Sequence, residues 1–146
     1  MAETYSTETA SVLDPSVLPR QKADGSVYGA RLRRYRSTIT LASQASGDTI
    51  VLAKPRDGEV FAYGVITASA TLGASATVAI GSTDDPDGYR VAAVFTTANT
   101  PTLFGTIAGM ITEAELDGLT EVKATVGTAA LPSSGTLVID LYYSHS

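Results

Sequence analysis

Cysteine and tryptophan are absent from this 146-residue chain, and histidine occurs once, as His145. Without cysteine the chain can form neither a disulfide nor a thiolate metal site. A catalytic histidine needs an orienting partner and a nucleophile, and a position beside the chain end is poorly suited to holding them. The sequence also contains no paired-histidine motif and no glycine loop of the phosphate-binding kind. We therefore expect no catalytic residue, no enzyme activity and no cofactor.

Long apolar runs are also missing. No run approaches about 18 apolar residues, so no transmembrane helix and no membrane partner is expected. The polar N-terminal residues lack the apolar region of a secretory signal. Charged residues make up only 17% of the chain, and small and β-branched residues supply much of the remainder. This composition favours packed β-sheet over a helical bundle, in one domain large enough for a core.

Apolar segments of strand length, separated by turn clusters, fill most of the sequence. The central stretch, residues 47–88, contains three of them, and the clusters PRDG and DDPDG are strong turn formers. In residues 76–81 the side chains alternate with the period of a half-buried strand. Strands are predicted at residues 30–43, 49–54, 60–69, 76–81, 89–97, 102–107, 121–128 and 136–143. About eight short strands with regular turn signals indicate an all-β, jelly-roll-like β-sandwich.

The same alternation predicts which side chains fill the core. We expect burial of Ile39, Leu41, Ile50, Leu52, Phe61, Val65, Val78, Ile80, Val91, Phe95, Val122, Val126, Ile139 and Leu141. The only helix signal lies in residues 111–119, where Thr112 and Glu115 have capping-box spacing. That helix would have at most two turns.

Residues 1–29 differ from the rest. Proline and glycine interrupt any regular element, yet apolar residues are scattered through the segment. A disordered tail usually has fewer apolar residues. We predict an extended N-terminal arm over residues 1–29, ordered by contact with its own domain or a neighbour, and a β-sandwich domain over residues 30–146. A mobile terminus is the alternative interpretation.

Positive charge is concentrated in the N-terminal part. Residues 1–56 carry eight of the ten basic residues but only five of the fifteen acidic ones, in a chain of net charge −5. Arginine forks at such density suit carboxylates or phosphates. A charged edge strand that resists edge-to-edge pairing is an equally good interpretation. No nucleic-acid partner is expected, because the net charge is negative and no aromatic platform accompanies the cluster. The cluster consists of Arg31, Arg33, Arg34 and Arg36.

One acidic segment is a weak candidate for a metal site. Asp84, Asp85 and Asp87 precede Gly88 and resemble the oxygen-rich loops that bind Ca²⁺. The spacing is not that of an EF-hand, and the same residues form a good turn without any metal. A turn alone is the favoured interpretation.

Three tyrosines could form an aromatic platform for sugar binding. They are Tyr63, Tyr142 and Tyr143. Aromatic side chains at strand positions more often pack within the core or on a sheet face. Packing is therefore the favoured interpretation.

Residues 51–95 resemble a recurrent pattern in small virion proteins of tailed bacteriophages. The pattern is a strand pair around a proline–glycine turn, then an apolar strand, then TLGASATVAIG and DPDGY as they stand here. The opening TYSTE and the arginine-rich strand extend the resemblance over residues 3–143. The sequence departs from the pattern at Arg56 and Asp57, where small residues are usual, which leaves the local turn in question.

The resemblance implies a head-decoration, or cement, protein. Such a protein is a β-sandwich subunit, commonly a homotrimer, that is made in the host cytoplasm and lies on the capsid exterior. The implied partners are the major capsid protein and further copies of the chain, and the family supplies no catalytic residues. The alternative is a carbohydrate- or receptor-binding module of a phage particle, with or without calcium. We assign partner binding to arm and strand residues Val17, Leu18, Arg20, Tyr28, Arg31, Arg33, Arg34 and Arg36.

Overall fold

The computed structural model describes residues 4–106 and 116–145, and these residues form eight strands. All eight coincide with segments predicted from the sequence, with ends that differ by a few residues. Turns follow the strands where the sequence predicts them. In the turn after β2, Gly58 has a φ of +81°, a backbone conformation that favours glycine. The strands are β1 (Arg31–Thr40), β2 (Thr49–Ala53), β3 (Val60–Ala68), β4 (Thr77–Ser82), β5 (Arg90–Val94), β6 (Thr102–Phe104), β7 (Val122–Gly127) and β8 (Thr136–His145).

The strands form two four-stranded sheets, with the orders β1-β8-β3-β6 and β2-β7-β4-β5. Neighbouring strands pair antiparallel in both sheets. Successive strands alternate between the sheets, except that β4 and β5 are neighbours in the same one. This order is that of a jelly roll. The predicted fold class is therefore confirmed.

Apolar side chains from the inner faces of the two sheets meet in one core. In β7, for example, Val122, Ala124 and Val126 are buried while the residues between them are partly exposed. Ile50 is partly buried against this core. Eleven of the predicted core residues are buried: Ile39, Leu41, Leu52, Phe61, Val78, Ile80, Phe95, Val122, Val126, Ile139 and Leu141.

Val65 is not one of them, and that part of the prediction is wrong. The pairing of β3 with β8 shifts register between Phe61 and Tyr63. One extra residue in a strand reverses which positions face inward, because side chains alternate. The neighbouring Ile66 is consequently the fully buried residue, and Val65 lies on the outer face opposite Asp140.

The prediction for Val91 is wrong for a related reason. The pairing of β4 with β5 shifts between Val78, opposite Ala93, and Ile80, opposite Arg90. Strand β5 thus takes three residues to cross the distance that β4 crosses in two. Val91 lies within this irregularity and is 59% exposed.

The sequence predicts that the N-terminal segment is extended. The structure instead places a seven-residue helix, α1 (Thr7–Leu13), near its start. The carbonyl oxygen of Ser6 accepts a hydrogen bond from the amide of Ala10 at 2.9 Å. Alanine and leucine favour helix, but two turns are too short to give a periodic signal in the sequence. No helix among the residues that the structure describes is long and apolar enough to span a membrane.

The helix predicted for residues 111–119 lies mostly outside the described residues. Its described part, residues 116–119, is not helical.

The last part of the arm folds back onto the sandwich. The Asp24 carboxylate accepts hydrogen bonds from the amide of Ser26 at 2.9 Å and from its hydroxyl at 2.6 Å. These two bonds lower the pKa of Asp24. Ser26 is only 2% exposed. The turn that leads into β1 therefore packs on the domain, although the boundary at residue 29 remains a prediction.

Candidate functional site

The arginine cluster is divided between the two faces of β1. Arg31 and Arg33 share their face with Tyr35, Ser37 and Ile39, whose burial increases toward the core. The other two arginines, Arg34 and Arg36, lie on the outer face. The cluster therefore presents two separate pairs instead of one continuous patch.

In the outer pair, Arg36 is already paired within the chain. Its Nε and Nη2 atoms donate to the two carboxylate oxygens of Asp140, each at 2.8 Å. This bidentate bond raises the pKa of the Arg36 guanidinium. Arg36 remains half exposed, whereas Asp140 is buried. Arg34 lies opposite Tyr142 and makes no ion pair with any residue that the structure describes.

In the inner pair, Arg33 faces a buried carboxylate that no sequence pattern distinguishes. Glu59 is 0% exposed. Its Oε2 accepts a hydrogen bond from the Tyr35 hydroxyl at 2.6 Å and from the Arg56 amide at 2.9 Å. Its Oε1 accepts no hydrogen bond from the described part of the chain, and Arg33 Nη1 lies 3.8 Å from it. Burial, together with the bond to Glu59, raises the pKa of Tyr35.

The arm presents apolar side chains to solvent. Leu18 is 78% exposed, and Val17 and Tyr28 are exposed to a lesser degree. Arg20 is exposed as well and makes no ion pair within the described residues. The arm residues predicted to bind a partner are therefore accessible, and their partner contacts stay a prediction.

The structure divides the three tyrosines of the predicted aromatic platform. Tyr143 is 0% exposed and packs edge-on against Tyr35, Phe61 and Tyr89. Tyr63 and Tyr142 lie on the outer face of the sheet and stack on each other, with ring centroids 4.7 Å apart.

A cavity of about 540 Å³ lies beside the stacked pair. Tyr63 contributes to its wall, together with Leu103, Phe104 and Gly105. Leu103 is 71% exposed. The outer face of this sheet therefore has an apolar region at its β6 edge.

The acidic segment forms a tight turn. The amide of Gly88 donates to the carbonyl of Asp85 at 3.2 Å. A Cβ atom at Gly81 would collide with the backbone of Asp85, so the segment folds closely over β4. No three histidine or acidic side chains of the described residues, including Asp84, Asp85 and Asp87, are grouped so that they could hold a metal ion.

Comparisons with known proteins identify this architecture in phage capsids. No family model matches the chain, and no curated protein matches it. Among solved structures, a chain of the cyanophage Pam1 capsid asymmetric unit has a TM-score of 0.64 at 16% identity, covering 90% of this chain and 99% of that one. A chain in the capsid of Ralstonia phage GP4 has a TM-score of 0.63 at 17% identity, covering 80% and 85%.

A chain in the acid-stable capsid of Helicobacter pylori bacteriophage KHP30 has a TM-score of 0.56 at 11% identity, covering 77% of this chain and 86% of that one. Identities this low establish the fold and not the role. The expected likeness to phage head proteins is thereby confirmed in architecture. This chain is similar in fold to chains of three phage capsids.

Proposed function

We propose that this chain is a structural protein of a phage virion that binds the outside of the capsid and stabilises it, without catalysis. The observation that carries the proposal is the likeness in fold to capsid chains, which extends over 90% of this chain and 99% of the cyanophage chain. The comparison therefore concerns nearly the whole subunit and not one module of it. A decoration protein needs a rigid domain and a surface that fits the shell, and it needs no active site.

The surface proposed for attachment consists of the arm and the arginine-rich strand. Arginine forks recognise carboxylates in two-point contacts, and exposed apolar side chains such as Leu18 can pack beside them. Arg36 contributes less than the others, because Asp140 occupies its fork. We call this set the attachment surface: Val17, Leu18, Arg20, Tyr28, Arg31, Arg33, Arg34 and Arg36.

We also propose that the chain forms a homotrimer. Large apolar side chains are exposed on strands of both sheets, which is the kind of surface that subunit contacts cover. The family resemblance motivates three copies in particular. The exposed residues outside the arm include Leu32, Val51, Val91, Val94 and Leu103.

The proposal is tested by electron cryomicroscopy of the particle that carries this chain. We expect jelly-roll density on the outer surface of the shell, with the arm directed at the major capsid protein. Density for the chain in the tail, or inside the shell, would contradict the proposal. Particles that lack the chain should be less resistant to heat, as measured by genome release.

A second candidate is a carbohydrate-binding module, which the outer-face pair Tyr63 and Tyr142 favours. Sugar rings stack on exposed aromatic faces. Saturable binding to a glycan array that Tyr142→Ala abolishes, with no binding to capsids, would replace the first proposal with this one.

A further inference from the structure

The two inner arginines, Arg31 and Arg33, line a cavity at one end of the sandwich. Its volume is about 370 Å³, and it lies between the start of β1 and the turn that precedes it. Arg31 and Arg33 project into it from β1, and His145 does so from β8. Gly25 and Gly29 of the preceding turn form the opposite wall. Three nitrogen-rich side chains thus line one half-open space.

The pairing of β1 with β8 brings these side chains together. Arg31 lies directly opposite His145 in the register, and Arg33 is its diagonal neighbour. Directly opposite side chains lie about 5 Å apart. Arg31 forms no ion pair with any described residue. Arg31 therefore brings to the cavity a guanidinium that no described carboxylate neutralises.

Glu59 holds part of this grouping in place. Its buried carboxylate is fixed by Tyr35 and by the Arg56 amide, and it faces the Arg33 guanidinium at 3.8 Å. That distance is too long for a hydrogen bond. A guanidinium has five N–H donors in a planar fork, so Arg33 can face Glu59 and still present donors to a second acceptor.

We infer that this cavity is a binding site for a single carboxylate group, held by Arg31 and Arg33 with His145 at its edge. A carboxylate matches the two-point geometry of an arginine fork. A carboxylate is favoured over a phosphodiester chain, because the exposed Asp57 precedes Gly58, which lies close to the His145 ring, and its charge would repel a polyanion. Such a group is available on an acidic side chain of another protein.

The inference deepens the proposed function and rests on it, because Arg31 and Arg33 belong to the attachment surface. Its test uses the isolated chain, so a failure to bind a carboxylate is distinguished from a failure to bind capsids. It is tested by nuclear magnetic resonance on the full chain, in which His145 is the only histidine and so gives unique ring signals. Acetate is titrated at constant ionic strength against chloride. We expect saturable shifts of the His145 ring signals and of the Nε–H signals of Arg31 and Arg33.

Matched variants identify the arginines that act. Arg31→Gln and Arg33→Gln should each weaken the acetate affinity by about fivefold or more, as expected for loss of a charge-assisted bond. Arg34→Gln is the control, because it removes the same charge from the same strand but on the opposite face, and it should change the affinity less than about twofold. Arg33→Lys retains the charge near Glu59 and tests the fork itself if Arg33→Gln fails to fold.

Three results would overturn the inference. The first is a shift that rises linearly with acetate and matches that of chloride. The second is equal weakening by Arg34→Gln and Arg31→Gln, which would indicate general surface attraction. The third is inorganic phosphate binding more than about tenfold tighter than acetate, which would assign the cavity to another anion.

Discussion

Tyr143 occupies the centre of a buried aromatic cluster at one end of the core. Phe61 and Tyr89 stack with ring centroids 3.8 Å apart, and both pack edge-on against Tyr143. The Tyr143 hydroxyl donates to the Tyr89 hydroxyl at 3.3 Å. Burial raises the pKa of Tyr143 and of Tyr89, because an ionised hydroxyl would lose its hydration. The cluster therefore lowers the stability of the fold at alkaline pH, where these hydroxyls would ionise.

The folded chain should lose stability as the pH rises above the ordinary tyrosine pKa of 10.0. The pKa of Tyr143 is raised in the folded state, so its contribution is complete below that value and declines above it. Urea midpoints measured from neutral to alkaline pH should show this decline, and Tyr143→Phe should make it shallower. Phe61→Leu is the control, since it perturbs the same cluster without removing a titrating group. An unchanged slope in Tyr143→Phe would contradict the assignment.

Substitutions at buried positions should destabilise the fold more than a substitution at an exposed position. Ile80→Ala and Ile139→Ala should each lower the free energy of unfolding by about 2–5 kcal/mol, because both side chains are fully buried. Val91→Ala, at a 59% exposed position, should change it by about 0.5 kcal/mol or less. Urea denaturation measures all three. Loss of similar size at Val91 would show that β5 is assigned to the wrong face.

At the scale of the element, β6 is the most weakly held strand, with three residues that pair only with β3. Phe104 lies opposite Gly64, and its ring occupies the space that a side chain at Gly64 would need. The absence of a side chain at Gly64 is therefore what allows Phe104 to pack at the core. Glycine inside a strand commonly marks such a close approach.

Gly64→Ala should destabilise the chain by about 1–3 kcal/mol through overpacking against Phe104. The double variant Gly64→Ala with Phe104→Ala should lose less than the sum of the two single variants, because the small side chain removes the collision. Urea denaturation of all four forms gives the coupling energy. Additive losses would show that the two residues do not meet.

The arginine-rich strand should attach the chain to its shell. Arg33→Glu combined with Arg34→Glu, and Leu18→Asp in the arm, should each reduce cosedimentation with capsids lacking this chain by about tenfold or more, because they remove a fork or an exposed apolar contact. Lys54→Glu is the control, as an exposed charge reversal outside the attachment surface. Unchanged cosedimentation in both variants would remove the attachment surface from the proposal.

Arg90 looks suitable as a control in the sequence, but the structure excludes it. Its guanidinium donates to the carbonyl oxygens of Val78, Ala93 and Val94 and so holds the β4–β5 edge together. Burial lowers its pKa. A charge reversal there would alter folding as well as attachment.

How far the sequence predicts an element depends on whether the signal is local. Turn clusters and alternation locate every strand, because both act over a few neighbouring residues. The register shifts near Phe61 and in β5 depend on the pairing with partner strands, so alternation alone predicts the wrong face for Val65 and Val91. Glu59 directly follows a turn and resembles a solvated turn residue, and only the fold reveals its partners Tyr35 and Arg33.

At the scale of the whole molecule, the exposed apolar residues on both sheets indicate contacts with other chains. We expect the purified protein to have a mass near three times the 15.1 kDa of one chain, measured by light scattering at micromolar concentration. Leu103→Asp, at a 71% exposed position, tests whether the β6 edge lies in that contact. A monomer at every concentration would contradict self-association in solution.

The sequence predicts the architecture better than it predicts the site. The arginine cluster is visible in the sequence, but its division into two pairs follows only from the pairing of β1 with β8. The inner pair includes Arg33, which faces Glu59, and the outer pair includes Arg36, which is bound to Asp140. The sequence indicates no partner for His145, yet the register places it opposite Arg31. Long-range pairing was therefore the missing information in both cases.

The strand order also determines when this protein can fold during its synthesis. Of the eight described strands, β7 and β8 leave the ribosome after the other six. Strand β7 is flanked by β2 and β4, and strand β8 by β1 and β3. Until they emerge, the first four strands lack these central neighbours and expose unpaired edges. Such long-range pairing folds slowly and exposes surfaces that aggregate. A nascent chain interrupted after β6 would thus lack the centre of both sheets.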